Sequence, residues 1–482
     1  MIEHKPAERI VLFFAILLLG ACQFQAQDSR QFTVLYTNDE HGWMEGTDES
    51  NSAANLVQLW REQEAYSQET AEKFLLLSGG DNWTGPAIST WNQGESMVEL
   101  MNAMGYTASA LGNHEFDFGL DNIRLRSAEA DYAYLSANTL RRETLKVPED
   151  LGITAYRIAE AGGVRVGIIG LTTRETPIAT NPSTVASLSF QDYEETLRTI
   201  VPQVEEQGVD LTFVIAHVCL EELEPLIDAV ADLGIDLFGA GHCNELVAKQ
   251  IGDTVLLGGG YHFTSYARAD FDLSRAGALS VNFSTQRNEG AGEATSIVNI
   301  VDHWREQSEQ SLSEVLAYVG EEIPRGSELD QLVVDSWLWA DPSAQVAITN
   351  AGGIRASLPA GEVSLGDTVA ILPFDNTIVA LNLSGAEILQ VLSEGSRPRV
   401  AGLTAQGEVW VWKNTGEELD PAKQYRVLVN SFMYAGGDNY GRLALADPVA
   451  YDTGIQYGHP FQDWLRSLGT SATSPVYFLG DK

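Results

Sequence analysis

Five short segments between residues 39 and 244 carry side chains of the types that most often bind divalent metal ions. Each segment alone predicts little, because a single histidine or a Gly-rich turn usually has only a structural role. The chain has eight histidines, however, and four of them fall inside these segments. The combination therefore indicates one site assembled from separate parts of the chain. The segments are Asp39-Glu40-His41, Asp81, Gly112-Asn113-His114-Glu115, His217, and His242 with Asn244.

These residue types predict a site for two divalent ions. Two such ions, roughly 3.5–4 Å apart, can hold the oxygens of a phosphate ester and activate a water molecule. One carboxylate has to bridge the ions, and Asp81, which follows two glycines, suits that role. Neutral nitrogen and oxygen ligands beside carboxylates favour Zn, Mn or Co over Ca. We assign Asp39 and His41 to one ion, and the other ion receives Asn113, His217 and His242.

His114 directly follows the predicted ligand Asn113. It can therefore donate a proton to a leaving-group oxygen as a general acid, or stabilise the charged transition state. Asp117 lies three residues further along and can fix the tautomer of the His114 ring. The remaining histidines have no comparable neighbours, and we predict structural or surface positions for them. They are His4, His262, His303 and His459.

Each of the five segments follows a short apolar run that predicts a buried strand ending in a turn. The runs are FTVLYT, FLLLSG, LTFVIA and DLFGA, with ASALG the weakest. Segments such as SMVELMNAMG and YEETLRTIVPQVEEQG predict helices between them. Polar residues just past the carboxyl ends of strands in an open α/β sheet converge on one crevice. This arrangement can bring the five segments together.

In this order, the segments resemble those of the calcineurin-like metallophosphoesterases, and within them the 5′-nucleotidase family. The resemblance covers the chain from about Phe32 to the C-terminus. Its second half rests on the separate motifs NAGGIR, ILPFDN and VNSFMYAGGDNYG, which are similar to the family's C-terminal substrate domain. The resemblance implies an α/β (α+β) fold. A four-layered αββα metallophosphoesterase domain would be joined by a helix to a smaller α/β substrate-binding domain.

We expect the metallophosphoesterase domain at residues 32–285 and the substrate-binding domain at 316–482. A connecting segment, 286–315, lies between them. It contains a polar stretch, Ser296 to Val315, with helical spacing and few helix breakers. No internal repeat is present.

The resemblance also implies substrate-binding residues in the second half of the chain. Two aromatic rings sandwich the nucleobase in the family, and Phe374 and Phe432 occupy the matching positions. Stacking on such rings is worth roughly 1–3 kcal/mol per base and tolerates any base. Both phenylalanines adjoin turn residues, so we favour stacking over a core position. The further positions that match substrate contacts are Arg325, Asn350, Arg355 and Asp438.

Several residues depart from the family pattern. Asn244 stands where His or Gln is usual, so it either ligates one metal weakly or contacts phosphate. Cys219 replaces a glycine, Asp330 replaces another, and GGDNY replaces GGDGY. None of these changes removes another predicted ligand. Hydrolytic activity therefore remains the expectation, while the substrate preference is open.

The formal net charge of −38 argues against a nucleic-acid polymer as partner, because the phosphate backbone would be repelled. A small nucleotide can still bind where metal ions and arginines reverse the local field. No protein partner is inferable.

The N-terminus predicts export. The apolar run VLFFAILLL is too short to span a bilayer and is typical of a signal peptide. It precedes Leu-Gly-Ala-Cys, which resembles a bacterial lipobox, so we expect a lipoprotein-type signal peptide at 1–22 and lipidation of Cys22. Ordinary cleavage nearby, giving a soluble periplasmic protein, is the alternative. Residues 23–31 would form a tether. The protein would then lie in the periplasm or cell envelope, and its lipid anchor would be its only contact with the membrane.

The predicted activity is the hydrolysis of nucleoside 5′-monophosphates to nucleoside and phosphate. Within the family, the alternatives are a 2′,3′-cyclic-nucleotide phosphodiesterase, a nucleotide-sugar pyrophosphatase and the sulfur-chemistry branch. From another class, the chain could be a non-catalytic nucleotide-binding surface lipoprotein. A pure binder, however, has no need for a complete ligand set beside His114.

Cys219 and Cys243 each lie within two residues of a predicted metal ligand. If both neighbouring histidines hold one ion, the two sulfurs come close together, and an oxidising compartment favours their pairing. A bridge also needs Cα atoms within about 7 Å and suitable Cβ directions. A free buried thiol remains the alternative.

Overall fold

The computed structural model describes Met1 and residues 29–47, 50–182, 184–290, 292–407 and 409–478. The predicted signal peptide, with the predicted lipidation site Cys22, lies outside the described residues apart from Met1. The end of the predicted tether is part of the fold instead, because the first strand begins at Ser29, which pairs with Ser274. Among the described residues, no helix is both long and apolar enough to cross a membrane.

The N-terminal part of the chain, residues 29–312, alternates strands and helices. Its strands are β1 (Ser29–Thr37), β2 (Phe74–Ser78), β3 (Ala108–Ala110), β4 (Ala133–Leu135), β5 (Thr139–Arg141), β6 (Ile153–Thr154), β7 (Tyr156–Ala161), β8 (Val164–Thr172), β9 (Leu188–Phe190), β10 (Leu211–His217), β11 (Leu237–Gly239), β12 (Leu246–Ile251), β13 (Thr254–Gly259), β14 (Ser265–Ser274) and β15 (Leu279–Arg287). Its helices are α1 (Ala53–Gln63), α2 (Ala87–Thr90), α3 (Glu95–Met104), α4 (Leu120–Glu129), α5 (Thr176–Ala179), α6 (Tyr193–Glu205), α7 (Leu220–Ala229) and α8 (Thr295–Leu312).

Two mixed sheets form the centre of this part. Within the described residues, one has the order β15-β14-β1-β2-β3-β4-β6 and the other β12-β13-β11-β10-β8-β7. Apolar side chains from both sheets share one core; they include Val34, Leu77, Ile168 and Phe213. Helices cover the two outer faces through separate cores. This is the αββα order that the family resemblance implies.

The sequence explains the central strands and their covering helices. All seven residues of β10 are buried, because both faces of this parallel strand are covered, and its run is therefore predominantly apolar. Helix α6 begins at the N-cap Asp192, whose carboxylate accepts a hydrogen bond from the Glu195 amide. Its buried residues Tyr193, Leu197 and Val201 are spaced by four, so one stripe faces the sheet.

The C-terminal part, residues 315–478, is a smaller α/β unit. Its strands are β16 (Val315–Val319), β17 (Val346–Asn350), β18 (Gly361–Ser364), β19 (Thr377–Ser384), β20 (Pro398–Ala401), β21 (Leu403–Gln406), β22 (Val409–Trp412), β23 (Gln424–Asn430) and β24 (Tyr451–Gln456). Its helices are α9 (Ser327–Ala340), α10 (Leu365–Ile371), α11 (Gly385–Glu394), α12 (Ser431–Tyr434), α13 (Arg442–Ala446) and α14 (His459–Ser467). Its main sheet has the order β20-β17-β23-β19-β24.

The two parts have separate buried cores, and helix α8 belongs to the first through Ile297, Val301 and Trp304. The helix covers 295–312, close to the polar stretch that predicted it. The secondary structure differs from the expected limits at two points: β15 continues to Arg287, and β16 begins at Val315, inside the expected connecting segment. We therefore propose the domain division between α8 and β16.

Candidate active site

The predicted metal ligands follow the carboxyl ends of neighbouring parallel strands. β1, β2 and β3 are adjacent in one sheet, and β10 and β11 are adjacent in the other. Several residues in these loops have left-handed backbone conformations, which non-glycine residues adopt mainly where the surroundings enforce them. They are Asp39, His41, Asp81, His242 and Asn244. The loops thus hold the polar side chains at one edge of the two sheets.

Asp39, His41 and Asp81 form the first group of potential metal ligands, with their ligand atoms within 4.8 Å of one another. The Nε2 atom of His41 lies 3.9 Å from an oxygen of each carboxylate. Asp39 Oδ1 is buried and has no hydrogen-bond partner among the described residues. Leaving such an oxygen without a donor is costly. A divalent cation between these three side chains would supply its missing partner, so the donor set fits a metal.

Asp81 is also part of a second group, with His217 and His242. The Nε2 atom of His217 lies 3.0 Å from Asp81 Oδ2 and 3.1 Å from Asn113 Oδ1. His242 Nδ1 is 3.1 Å from the same nitrogen. His217 Nδ1 lies 2.8 Å from the Gly79 carbonyl, which orients the ring and turns Nε2 toward the group. Four donor atoms therefore converge, and Asp81 is common to both groups.

The site favours positive charge. Burial, reinforced by the neighbouring Asp81, raises the pKa of Asp39 to about 7, although His217 acts in the opposite direction. Burial would lower the pKa of His217, but Asp81 and Asp39 outweigh it and raise the pKa to about 9. The carboxylates thus attract a proton or a metal ion to this position.

Glu115, to which the sequence assigned no role, joins two of the loops. Its buried carboxylate accepts hydrogen bonds from the amides of Gly112 (2.7 Å), Asp81 (3.0 Å) and Asn82 (2.7 Å). The loops approach so closely that a Cβ on Gly112 would lie 2.1 Å from Asp81 Oδ1. Glu115 belongs to the GNHE motif, but its role could not be predicted because its contacts with Asp81 and Asn82 depend on tertiary structure.

His114 lies beside the two ligand groups with its ring oriented by Asp117. Its Nδ1 is 2.7 Å from Asp117 Oδ2, and the hydroxyl of Thr180 donates a 2.9 Å hydrogen bond to the other oxygen of that carboxylate. Burial would lower the pKa of His114, but Asp117 and Asp81 outweigh it and raise the pKa. Because Nδ1 faces Asp117, Nε2 is the ring nitrogen on the side away from that carboxylate. Nothing in the sequence pointed to Thr180.

The C-terminal part forms the opposite wall of the same cavity, which has a volume of about 660 Å³. The Phe374 ring is nearly parallel to the His114 ring, at 18°, with the centroids 5.7 Å apart. The Arg355 guanidinium lies 5.8 Å from the centroid of the Phe374 ring. Arg325 is exposed and also lines the cavity. The cavity therefore has potential metal ligands on one side and arginines on the other.

Asn350, Asp438 and Phe432 line the far side of this cavity. Asn350 donates a 2.7 Å hydrogen bond to Asp438 and accepts one of 2.9 Å from Asn430. The Phe432 ring packs against Gly437, where a Cβ would lie 2.3 Å from a ring carbon. The structure thus brings all six predicted substrate-contact positions to one cavity.

Tyr457 and Arg397 are two further residues that the sequence did not single out. The buried Tyr457 hydroxyl donates to the Gly353 carbonyl at 3.1 Å and accepts from the Phe374 amide at 3.3 Å. It therefore ties the AGG turn to the Phe374 loop. Arg397 lines the cavity, and its carbonyl accepts a hydrogen bond from the Ala351 amide. Neither belongs to a motif from which it could have been recognised.

Other predicted positions have more ordinary surroundings. Asn244 is exposed and lines the cavity beside His242. His303 and His459 are exposed, as predicted, and His4 lies outside the described residues. The His262 ring stacks on Trp43, with centroids 4.8 Å apart, and is nearly perpendicular to the His41 ring.

Cys219 and Cys243 form a disulfide bond, with their Cα atoms 5.2 Å apart. The sequence left this pairing open. The bridge is possible because β10 and β11 are adjacent strands, so the residues that follow them are close enough in space.

Comparisons with known proteins cover nearly the whole chain. The family model described as "5′-nucleotidase, C-terminal domain" matches residues 322–444. A 5′-nucleotidase of Vibrio vulnificus is 26% identical, and the alignment covers 92% of each chain. The structure of a 5′-nucleotidase precursor from Thermus thermophilus is similar, with a TM-score of 0.77 and 24% identity, over 94% of this chain and 100% of that one. A sulfate thiohydrolase from Thermus thermophilus has a TM-score of 0.69 and 18% identity, over 93% and 97%.

The αββα part with its ligand groups and the matched C-terminal part define a hydrolase of the metallophosphoesterase type. Residues 322–444 match the 5′-nucleotidase C-terminal domain, and the chain is similar to 5′-nucleotidases over nearly its whole length.

Proposed function

We propose that this protein hydrolyses nucleoside 5′-monophosphates to nucleoside and phosphate at a two-metal centre. The proposal rests on one observation: the N-terminal and C-terminal parts of the chain line the same cavity. Potential metal ligands and His114 lie on one side, and Phe374, Phe432 and arginines lie on the other. A phosphate ester with an aromatic group fits such a cavity, because its phosphate group can bind metal ions and arginines while its aromatic group packs against the phenylalanine rings.

Asp39 and His41 would hold one ion, with Asp81 as the bridging ligand. Asn113, His217 and His242 would hold the other, and Asn244 would ligate it weakly or contact the phosphate. Two divalent ions, such as Zn, Mn or Co, would hold the phosphoryl oxygens and lower the pKa of a water molecule when bound.

His114 protonates the leaving 5′ oxygen as the bond between that oxygen and phosphorus breaks, while water adds to the phosphorus. Its raised pKa supports this role, since the ring keeps its proton closer to neutral pH. Asp117 fixes the ring orientation through Nδ1. The guanidinium groups of Arg355 and Arg325 are suited to the phosphate oxygens, since arginine matches them with several donors.

The nucleobase stacks between Phe374 and Phe432. Aromatic stacking accepts every base, so the clamp alone predicts broad base tolerance. Asp438 and Asn350 contribute oriented polar groups at the same end of the cavity and suit hydroxyl or amide donors and acceptors of the nucleoside.

We further propose that the protein acts outside the cytoplasm. The disulfide bond supports this location, because such bonds persist mainly in oxidising compartments. Lipid anchoring through Cys22 is part of the same proposal and can be tested by mass spectrometry of the mature N-terminus.

A substrate panel tests the activity. Mn, Zn or Co would be added to metal-stripped protein, and phosphate release would be measured with AMP, a 2′,3′-cyclic nucleotide and a nucleotide sugar. With the last two substrates, an added phosphomonoesterase would release phosphate from the first product. The highest kcat/KM should be for AMP, and only with metal. A higher value for either other substrate would assign the corresponding family activity instead. Tight AMP binding without turnover in any metal would leave a nucleotide-binding protein.

A further inference from the structure

The Cys219–Cys243 disulfide joins the loop that follows His217, the last residue of β10, to the loop that carries His242. Cys219 follows His217 by two residues, and Cys243 is the next residue after His242. The bridge therefore connects the two histidines of one ligand group through very short lengths of backbone.

The neighbouring strands fix these loops only in part. β10 and β11 pair through Phe213–Ile215 and Leu237–Gly239, which ends the ladder before either loop begins. Beyond it, the Gly241 amide donates a 3.2 Å hydrogen bond to the Val218 carbonyl. The His242 amide donates to Asp39 at 2.9 Å. The disulfide adds a covalent restraint where the ladder has already ended.

The two histidine rings differ in how they are held. The His217 ring is buried and accepts or donates at both nitrogens, with Gly79 on one side and the ligand group on the other. The His242 ring is partly exposed, and among the described residues its hydrogen bonds involve only the His217 ring. Its backbone is also left-handed, with φ of 75°. The position of His242 thus depends on its loop, which the bridge restrains together with the hydrogen bonds of the Gly241 and His242 amides.

We propose that Cys219 and Cys243 are positioning residues for the metal ion that His217 and His242 share. This inference rests on the proposed two-metal centre. The bridge keeps the His242 ring within reach of the His217 ring before metal binds, so less conformational freedom is lost on binding. The ligands assigned to the other ion, Asp39, His41 and Asp81, lie on neither of the bridged loops, so its affinity should change little.

Zinc titration calorimetry of the metal-stripped full chain tests this proposal. The double variant Cys219→Ala/Cys243→Ala removes the bridge and leaves no thiol that could bind zinc. Loss of groups that orient a ligand typically weakens metal affinity by about 10–100-fold. We expect a loss of that size at one site and none at the other.

Two further variants separate positioning from general destabilisation. In a His41→Ala background, removing the cysteines should weaken the remaining site; in a His242→Ala background, it should have no further effect. Leu100→Ala, in the core of the N-terminal part far along the chain from both loops, is the matched control for lost stability and should retain both affinities.

The outcomes distinguish this inference from the proposed function. If the parent protein binds two zinc ions and the cysteine-free variant binds them equally well, the positioning role is overturned. Equal weakening in the His41→Ala and His242→Ala backgrounds, or an equal loss in Leu100→Ala, would also overturn it. If the parent binds no zinc, the two-metal centre itself is wrong.

Discussion

The two walls of the cavity are built in different ways. On the wall that carries the predicted metal ligands, Asp39, Asp81 and His217 are at most 2% exposed, and backbone groups orient their side chains. On the opposite wall, Phe374 and Phe432 are only partly buried, and Arg325 is exposed. Metal binding and proton transfer need fixed atoms, whereas ring stacking tolerates small displacements. Substitutions on the first wall should therefore affect every substrate, whereas substitutions of the two phenylalanines on the second wall should affect nucleotides selectively.

The largest effect is expected for Asp81→Ala. This carboxylate is common to both ligand groups, so its loss should remove metal and nearly all turnover on any ester. Metal content by emission spectrometry, measured beside phosphate release, checks this expectation. Asp228→Ala, at an exposed helical position in the same part of the chain, is the control. An Asp81→Ala protein with two metal ions and a normal rate would refute the bridging assignment.

His114→Ala should retain both metal ions but lose turnover by about 10²–10⁴-fold, as expected when a positioned proton donor is removed. The loss should be smaller for an ester with a good leaving group, such as p-nitrophenyl phosphate, because that oxygen needs less protonation. The exposed residue His303 offers a matched His→Ala control. Loss of metal in His114→Ala would show instead that the residue is a ligand.

Phe374→Ala and Phe432→Ala test the selectivity of the second wall. Each should reduce kcat/KM for AMP by an amount equivalent to roughly 1–3 kcal/mol, with little difference among bases. Activity on p-nitrophenyl phosphate should change much less. Trp339→Ala, an exposed aromatic position in the same part, controls for general effects. Equal losses on both esters would mean that the phenylalanines stabilise the fold and do not stack a base.

Tyr457→Phe should have the smallest effect. It removes the hydroxyl that links the Gly353 carbonyl to the Phe374 amide. Such a neutral hydrogen bond contributes about 0.5–1.5 kcal/mol, so KM for AMP should rise by up to about tenfold with kcat nearly constant. Tyr318→Phe, which removes a hydroxyl bonded to Glu362 in the same part, is the matched control. A fall in kcat with unchanged KM would contradict a role in holding the clamp.

The sequence predicted the fold where burial leaves a regular pattern. The apolar runs before Asp39, Asp81 and His217 became parts of β1, β2 and β10, since strand segments covered on both faces are mainly apolar. The polar segment before residue 315 became helix α8. The prediction that the tether extends to residue 31 is wrong, because Ser29–Gln31 pair with β14. This pairing uses backbone groups and leaves no pattern in the side chains.

Residues of the candidate site could be predicted where they belong to short sequence motifs. They could not be predicted where their role depends on contacts between distant parts of the chain. The metal-ligand segments and the substrate-contact positions could be identified from short motifs, and the structure gathers them around one cavity. Thr180 and Tyr457 could not, because each acts through a hydrogen bond to a residue more than 60 positions away. The sequence could not decide the Cys219–Cys243 pairing for the same reason, since the order of the strands in the sheet determines whether the two loops are neighbours.

The most direct test of the account is anomalous diffraction from crystals of the full chain soaked with Mn²⁺. The account predicts two manganese peaks on either side of the Asp81 carboxylate, roughly 3.5–4 Å apart. One peak should lie beside Asp39 and His41, and the other beside His217 and His242. A single peak, or peaks that do not contact Asp81, would contradict the two-metal centre on which the proposed hydrolysis depends.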